Sequence, residues 1–135
     1  MKIDFNSPIT NNKETINLEI AFYGDGSTAL TSTYFDEEFQ GDARYATFSV
    51  NLTDYFIIPE DEFHVFIKDY SEGEGNIDEL EKHGIVKRDP EYFLADDNAV
   101  VTFGPFRTEA VYVEIVSPEL RQEIENAMNS MNEEM

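Results

Sequence analysis

A chain of 135 residues with 41% apolar and 13% aromatic residues carries enough Phe, Tyr, Ile and Val for one ordinary core, which argues against intrinsic disorder. It has no cysteine, so disulfides, zinc thiolate sites and thiol catalysis are ruled out. Its 29 acids against 9 bases give a net charge of −20, and Coulomb repulsion then opposes direct binding to nucleic acid or to an anionic membrane.

The opening MKIDFNSPITNNKE has no apolar run behind Lys2, so no signal peptide is expected. No stretch approaches the roughly 18 apolar residues of a membrane span, and a soluble, cytoplasmic protein is the expectation. Residues 14–23, ETINLEIAFY, alternate: Ile16, Leu18, Ile20 and Phe22 face one way, Thr15, Asn17, Glu19 and Tyr23 the other. That period of two marks a half-buried strand. Gly24-Asp25-Gly26 is a tight-turn signal, and STALTSTY (27–34) has strand composition, so 14–34 reads as a hairpin. After the acidic connection FDEEFQGD (35–42), RYATFSVNL (44–52) alternates again, with Ala46, Phe48, Val50 and Leu52 on one face. EFHVFIKDY (62–70) is apolar on both faces in its middle, which predicts a central strand.

The next element is a short helix over 76–84. Asn76 is placed as N-cap with Glu79 three residues on, a capping-box spacing. Lys82 and His83 lie at the cationic end, Gly84 suits the left-handed position after it, and Ile85 can touch Leu80 in a Schellman ending. AVVTF (99–103) and AVYVEIV (110–116) are strands on either side of Gly104-Pro105. The C-terminal helix, 118–131, starts with Ser117 as N-cap and Pro118 in the first turn. Leu120, Ile124, Ala127, Met128 and Met131 form its apolar stripe. The expected fold is one α+β domain over 1–135, with a mostly antiparallel sheet of about five to six strands and two helices.

Between Glu60 and Glu81 stand nine acids and one lysine, Lys68. A calcium loop starting at Asp69 would place Gly73 at position 5, Glu74 at position 6 and Leu80 at position 12. It therefore lacks both the turn glycine and the bidentate acid. Helix capping explains Asp78 and Glu79, whereas Glu60, Asp61, Glu62, Asp69, Glu72 and Glu74 have no partner visible in the sequence. Asp36, Glu37, Glu38 and Asp42 form a second acidic set, and Asp96-Asp97 a smaller one. A sphere of this chain length is about 35 Å across. Twenty charges spread over that length match the spacing of duplex DNA, one per roughly 1.7 Å. An even coat of solvated carboxylates gives the same count. Salt adaptation is a further source of acidity, but such chains draw on small residues, and this one is rich in Phe, Ile and Asn.

ATFSVNL (46–52) followed by EFHVFIKDYSEGEGNIDELEKHGIV (62–86) resembles a pattern of small acidic uncharacterised proteins of Firmicute phages and conjugative elements. In that pattern a strand ending Val50-Asn51-Leu52 precedes the strand end Ile67-Lys68-Asp69-Tyr70-Ser71-Glu72, a glycine turn, a short helix and Gly84-Ile85-Val86. The pattern's turn usually carries Asn where this chain has Gly73. Such proteins have no established activity, so the resemblance transfers no functional residue. It implies a context: small accessory proteins of mobile elements are often directed at host defence.

No nucleophile elbow, phosphate loop or dinucleotide fingerprint occurs in the chain. Three readings follow. The first is a non-enzymatic inhibitor that mimics DNA and occupies the groove of a basic, nucleic-acid-binding host protein, in the manner of an anti-restriction or anti-CRISPR protein. Its contacts would be Asp36, Glu37, Glu38, Asp42, Glu60, Asp61, Glu62, Asp69, Glu72 and Glu74, and it needs no cofactor. A homodimer would lengthen the charged stripe. The second is a protein-interaction module whose acidity only confers solubility, binding through an apolar patch such as the methionine-bearing helix 118–131. The third is a metal-dependent enzyme built on carboxylates with His64.

Overall fold

The computed structural model describes residues 1–8, 11–70 and 73–133, arranged as one α+β domain of two antiparallel sheets and two helices. The first sheet has the order β1 (Lys2–Asn6), β2 (Lys13–Phe22), β3 (Thr28–Asp36), β4 (Gly41–Thr47). The alternation holds in the middle of β2, where Ile16 and Leu18 are fully buried while Thr15 is exposed and Asn17 and Glu19 are half-buried; towards the hairpin Ile20 and Phe22 are only half-buried. β2 and β3 form the expected hairpin, with Phe22 opposite Thr28. Its loop closes through the Tyr23 N–H to Ser27 O bond, and Gly26 takes the positive φ of 90° that the turn demands.

The second sheet contains β5 (Ser49–Val50), β6 (His64–Lys68), β7 (Val86–Arg88), β8 (Val100–Phe103) and β9 (Thr108–Ile115). β9 is its spine. β6 pairs along one edge of β9, while β8 and β7 share the other edge end to end. β6 lies between β5 and β9, as a strand apolar on both faces should. Its Val65 and Ile67, with Val111, Val113 and Ile115 of β9, face the main core, which also takes Phe5, Leu30, Leu80 and Ile124. Phe66, with Ala110 and Tyr112 of β9, faces a second, smaller core roofed by Leu52, Ile57 and Tyr92.

The predicted strand 44–52 divides at Phe48. Its N–H donates to Leu30 O of the first sheet at 2.9 Å, and its carbonyl accepts Lys68 N–H of the second at 2.9 Å. One residue thus stitches the two sheets together, and its buried ring sits 5.3 Å from that of Phe5. β1 and β7 add to the strands expected from periodicity. They are only 5 and 3 residues long, and their pairing partners supply what their own pattern does not.

α1 spans Asn76–Lys82 and α2 spans Pro118–Glu133. α1 ends as expected: Ile85 N–H bonds Leu80 O, Gly84 N–H bonds Glu81 O, and Gly84 has φ 70°. Its start differs. Gly75, not Asn76, is the N-cap, and no side chain caps the helix. Asn76 is buried instead, and Glu79 turns away to accept the N–H of Asn6 at 3.1 Å. In α2, Leu120 and Ile124 are buried in the main core and Met128 packs against it, so most of the apolar stripe is spent internally. Ser117 caps this helix through Leu120 N–H at 3.5 Å. Among the described residues no helix is long and apolar enough to cross a membrane.

Candidate functional site

The acids named from the sequence occupy separate places. Asp36, Glu37, Glu38 and Asp42 surround the tip of the β3–β4 hairpin. Glu62 lies at the other end of β3, where Thr28 Oγ1 donates to its carbonyl at 2.6 Å. β3 has nine residues, so the two sets stand roughly 26 Å apart at about 3.3 Å per residue. Asp69 and Glu74 follow β6, and Glu72 lies outside the described residues. The acids therefore do not make one cluster.

At the hairpin tip, Asp36 Oδ1 accepts the N–H groups of Glu38 at 3.0 Å and Phe39 at 3.2 Å, which fixes the turn. Among the described residues, nothing bonds the carboxylates of Glu37, Glu38 and Asp42. Phe35 and Phe39 flank them, 59% and 71% exposed. Two exposed phenyl rings, Phe35 near the end of β3 and Phe39 in the turn itself, are unusual for a solvated turn, where Gly, Asn and Ser serve as well.

The second set is built differently. Asp61 Oδ1 accepts the N–H of Phe63 at 2.9 Å and lies 2.7 Å from His64 Nδ1. His64 is only 8% exposed and stacks on Tyr112 at 5.1 Å and 10°. Its other nitrogen, Nε2, lies 3.1 Å from Asp89 Oδ2. The sheet register makes this meeting: β9 carries β6 on one edge and β7 on the other, and Asp89 N–H bonds Tyr112 O just past β7. Glu60 completes the group, its N–H donating to the Tyr112 hydroxyl at 2.9 Å and its carboxylate near those of the cluster. Asp61 and Asp69 thus have partners that the sequence did not reveal; Asp69 Oδ1 accepts Gly75 N–H at 3.3 Å.

The electrostatics follow from burial. Burial alone would raise the Asp61 carboxyl, but hydrogen bonds from His64 and Phe63 N–H hold it below its ordinary value. Burial pushes the Tyr112 hydroxyl well above its ordinary value, with the Glu60 carboxylate adding to the effect and the Glu60 N–H opposing it. Arg121 lies over the Phe63 ring at 4.1 Å, donates to Ile115 O at 2.9 Å and pairs with Glu114 at 3.6 Å, and its charge adds a small lowering effect at Asp61.

Asp25, read from the sequence only as a turn residue, is a third construction. It accepts from the amide and hydroxyl of Ser27, from Thr53 Oγ1 at 2.8 Å and from Asn51 Nδ2 at 3.1 Å. These donors, Ser27 first, hold its carboxyl far below the usual range. Asp25 so pins the β2–β3 loop to residues 51–53 beside an open groove of about 370 Å³ that runs to Pro59 and Asp61.

The loops that roof the second core expose Tyr55, Phe56, Ile58, Phe93 and Leu94, and Phe106 projects from the β8–β9 turn. Pattern reading found none of these, because apolar residues in loops carry no period. No protein-family model matches the chain, and no curated protein or solved structure is similar to it.

Proposed function

We propose that the chain is a non-enzymatic inhibitor from a mobile element that docks its acidic surface on a basic, nucleic-acid-binding host protein in place of DNA. The β3–β4 tip carries this reading, because the carboxylates of Glu37, Glu38 and Asp42 are unbonded among the described residues and lie beside two exposed phenylalanines, Phe35 and Phe39. Carboxylates steer a basic groove into encounter, and the rings supply short-range anchoring once water is expelled. The net charge of −20 and the resemblance to mobile-element proteins support the same choice of partner. Glu60, Glu62, Asp69 and Glu74 extend the negative field around the body of the domain, so steering acts over its width. The protein acts in the cytoplasm under this reading, where its target meets nucleic acid.

A lysate of a Firmicute passed over the tagged protein tests it, with one elution by rising salt and one by short duplex DNA. A nucleic-acid-binding protein released by both, and not captured by a Glu37→Lys/Glu38→Lys variant, is the expected result. A captured partner that resists both salt and DNA would overturn the mimic. That outcome would favour a second reading, a protein-interaction module using the exposed aromatics Phe56, Phe93 and Phe106. The same outcome would dissociate function from the tip altogether.

A further inference from the structure

We propose that Glu60, His64 and Asp89 form a binding site for a divalent first-row transition ion, with Asp61 as the residue that positions the imidazole. One ligand atom from each of the three lies within 4.8 Å of the others. Two donors about 2.1 Å from a tetrahedral metal are roughly 3.4 Å apart, so the 3.1 Å between His64 Nε2 and Asp89 Oδ2 needs only a small adjustment to admit one.

The hydrogen-bond chemistry explains why a cation is wanted there. A neutral imidazole has one N–H to give. In the Nδ1–H tautomer Asp61, three residues away on the same turn and 2.7 Å from that nitrogen, receives it. That leaves the Nε2 lone pair directed at a carboxylate oxygen of Asp89, with the Glu60 carboxylate beside it. Lone pairs at this distance repel unless a positive charge lies between them. A second proton on the ring would serve for Asp89 alone, and one imidazolium against three carboxylates leaves a charge of −2 beside a buried aromatic wall, Tyr112. A divalent ion beside the neutral ring lowers that to −1 and uses all three donors. Asp61 then has the place that a carboxylate takes behind a metal-bound histidine, fixing the tautomer and the ring plane. Stacking on Tyr112 fixes the same plane from below.

The donor set of one imidazole and two carboxylates selects the class of ion. The imidazole nitrogen suits zinc or iron and is a poor ligand for magnesium or calcium, while the two carboxylates also admit manganese. Three protein ligands leave at least one position for water, and Glu60 is exposed, so the site opens to solvent. Binding would clasp the roof segment through Glu60, the start of β6 and the exit of β7. The proposal uses no residue of the hairpin tip that carries the docking reading, although Glu60 also belongs to the wider negative field.

The test is titration of the chelator-stripped protein with ZnCl2, MnCl2 or MgCl2 at matched ionic strength, followed by calorimetry and thermal melting. One Zn²⁺ or Mn²⁺ per chain is expected, with a rise in Tm of roughly 8 °C at about a hundredfold excess over Kd. MgCl2 should give only the small shift that screening gives any polyanion. Asp89→Asn and the exposed-site variant Glu60→Gln should each bind at least about tenfold more weakly, as should Asp61→Asn, while Glu37→Gln binds normally. Nitrogen NMR of His64 should show Nε2, not Nδ1, moving on zinc addition. Equal shifts from all three salts, or undiminished binding by Glu60→Gln, would overturn the proposal. A His64 that stays doubly protonated with zinc present would do the same.

Discussion

Asp36-Glu37-Glu38 and Glu60-Asp61-Glu62 are nearly the same tripeptide, and the fold gives them opposite employment. In each, an aspartate folds back on the residues that follow: Asp36 takes the N–H groups of Glu38 and Phe39, and Asp61 takes the N–H of Phe63 and faces the His64 ring. The difference lies in the residue three positions on. Phe39 points into water, whereas His64 is buried against Tyr112 and gathers Asp89 from a distant part of the chain. The same acidic turn is therefore an outward-facing edge in one place and a joint between strands in the other. An acidic run does not declare its role until the neighbour that it caps is known.

That contrast can be broken by mutation, and the largest effect is expected at His64. His64→Leu removes the group between Asp61 and Asp89 and leaves both carboxylates without it, at a cost of about 3 kcal/mol in a urea melt. A loss no larger than that of a surface change would mean that the cluster contributes nothing to the fold. Asp36→Ala should cost about 1 kcal/mol, because two turn amides lose their acceptor yet can turn to water. Smallest of all, Glu37→Lys/Glu38→Lys should lie within about 0.5 kcal/mol of the native protein, on the stabilising side at low salt because repulsion falls.

Acid sharpens the same comparison. The Asp61 carboxyl is held below its ordinary value in the fold. Its contribution is therefore complete above about pH 4, the unfolded value, and is lost as pH falls through the lower folded one. Melts between about pH 6 and pH 2 should accordingly show a larger loss for the native chain than for Asp61→Asn. Parallel curves would remove Asp61 from the joint.

Much of this fold is legible in the residues. The β2–β3 hairpin follows from a clean period of two and a glycine turn, and the end of α1 follows from Gly84 and Ile85. What escapes is long-range. Nothing local marks Phe48 as the point where one apparent strand changes sheet, because its alternation is unbroken on both sides. Asn76 has the composition of an N-cap, yet Gly75 takes that place while Glu79 bonds Asn6 instead. The cluster at His64 is half readable: Asp61 sits three residues before it, a spacing that closes a turn. Asp89 reaches it only because β9 holds β6 and β7 on opposite edges, a pairing that no periodicity encodes.

The division between the two tripeptides is tested most directly by neutralising each in turn, Glu37→Gln/Glu38→Gln against Glu60→Gln/Asp61→Asn, and comparing thermal melts at low and high salt. The tip pair should melt at or above the native temperature, with its gain shrinking as salt rises. The second pair should melt lower at both salt levels, because the bonded Asp61 carboxylate is lost rather than repulsion only relieved. Equal shifts of the same sign for the two pairs would contradict the account.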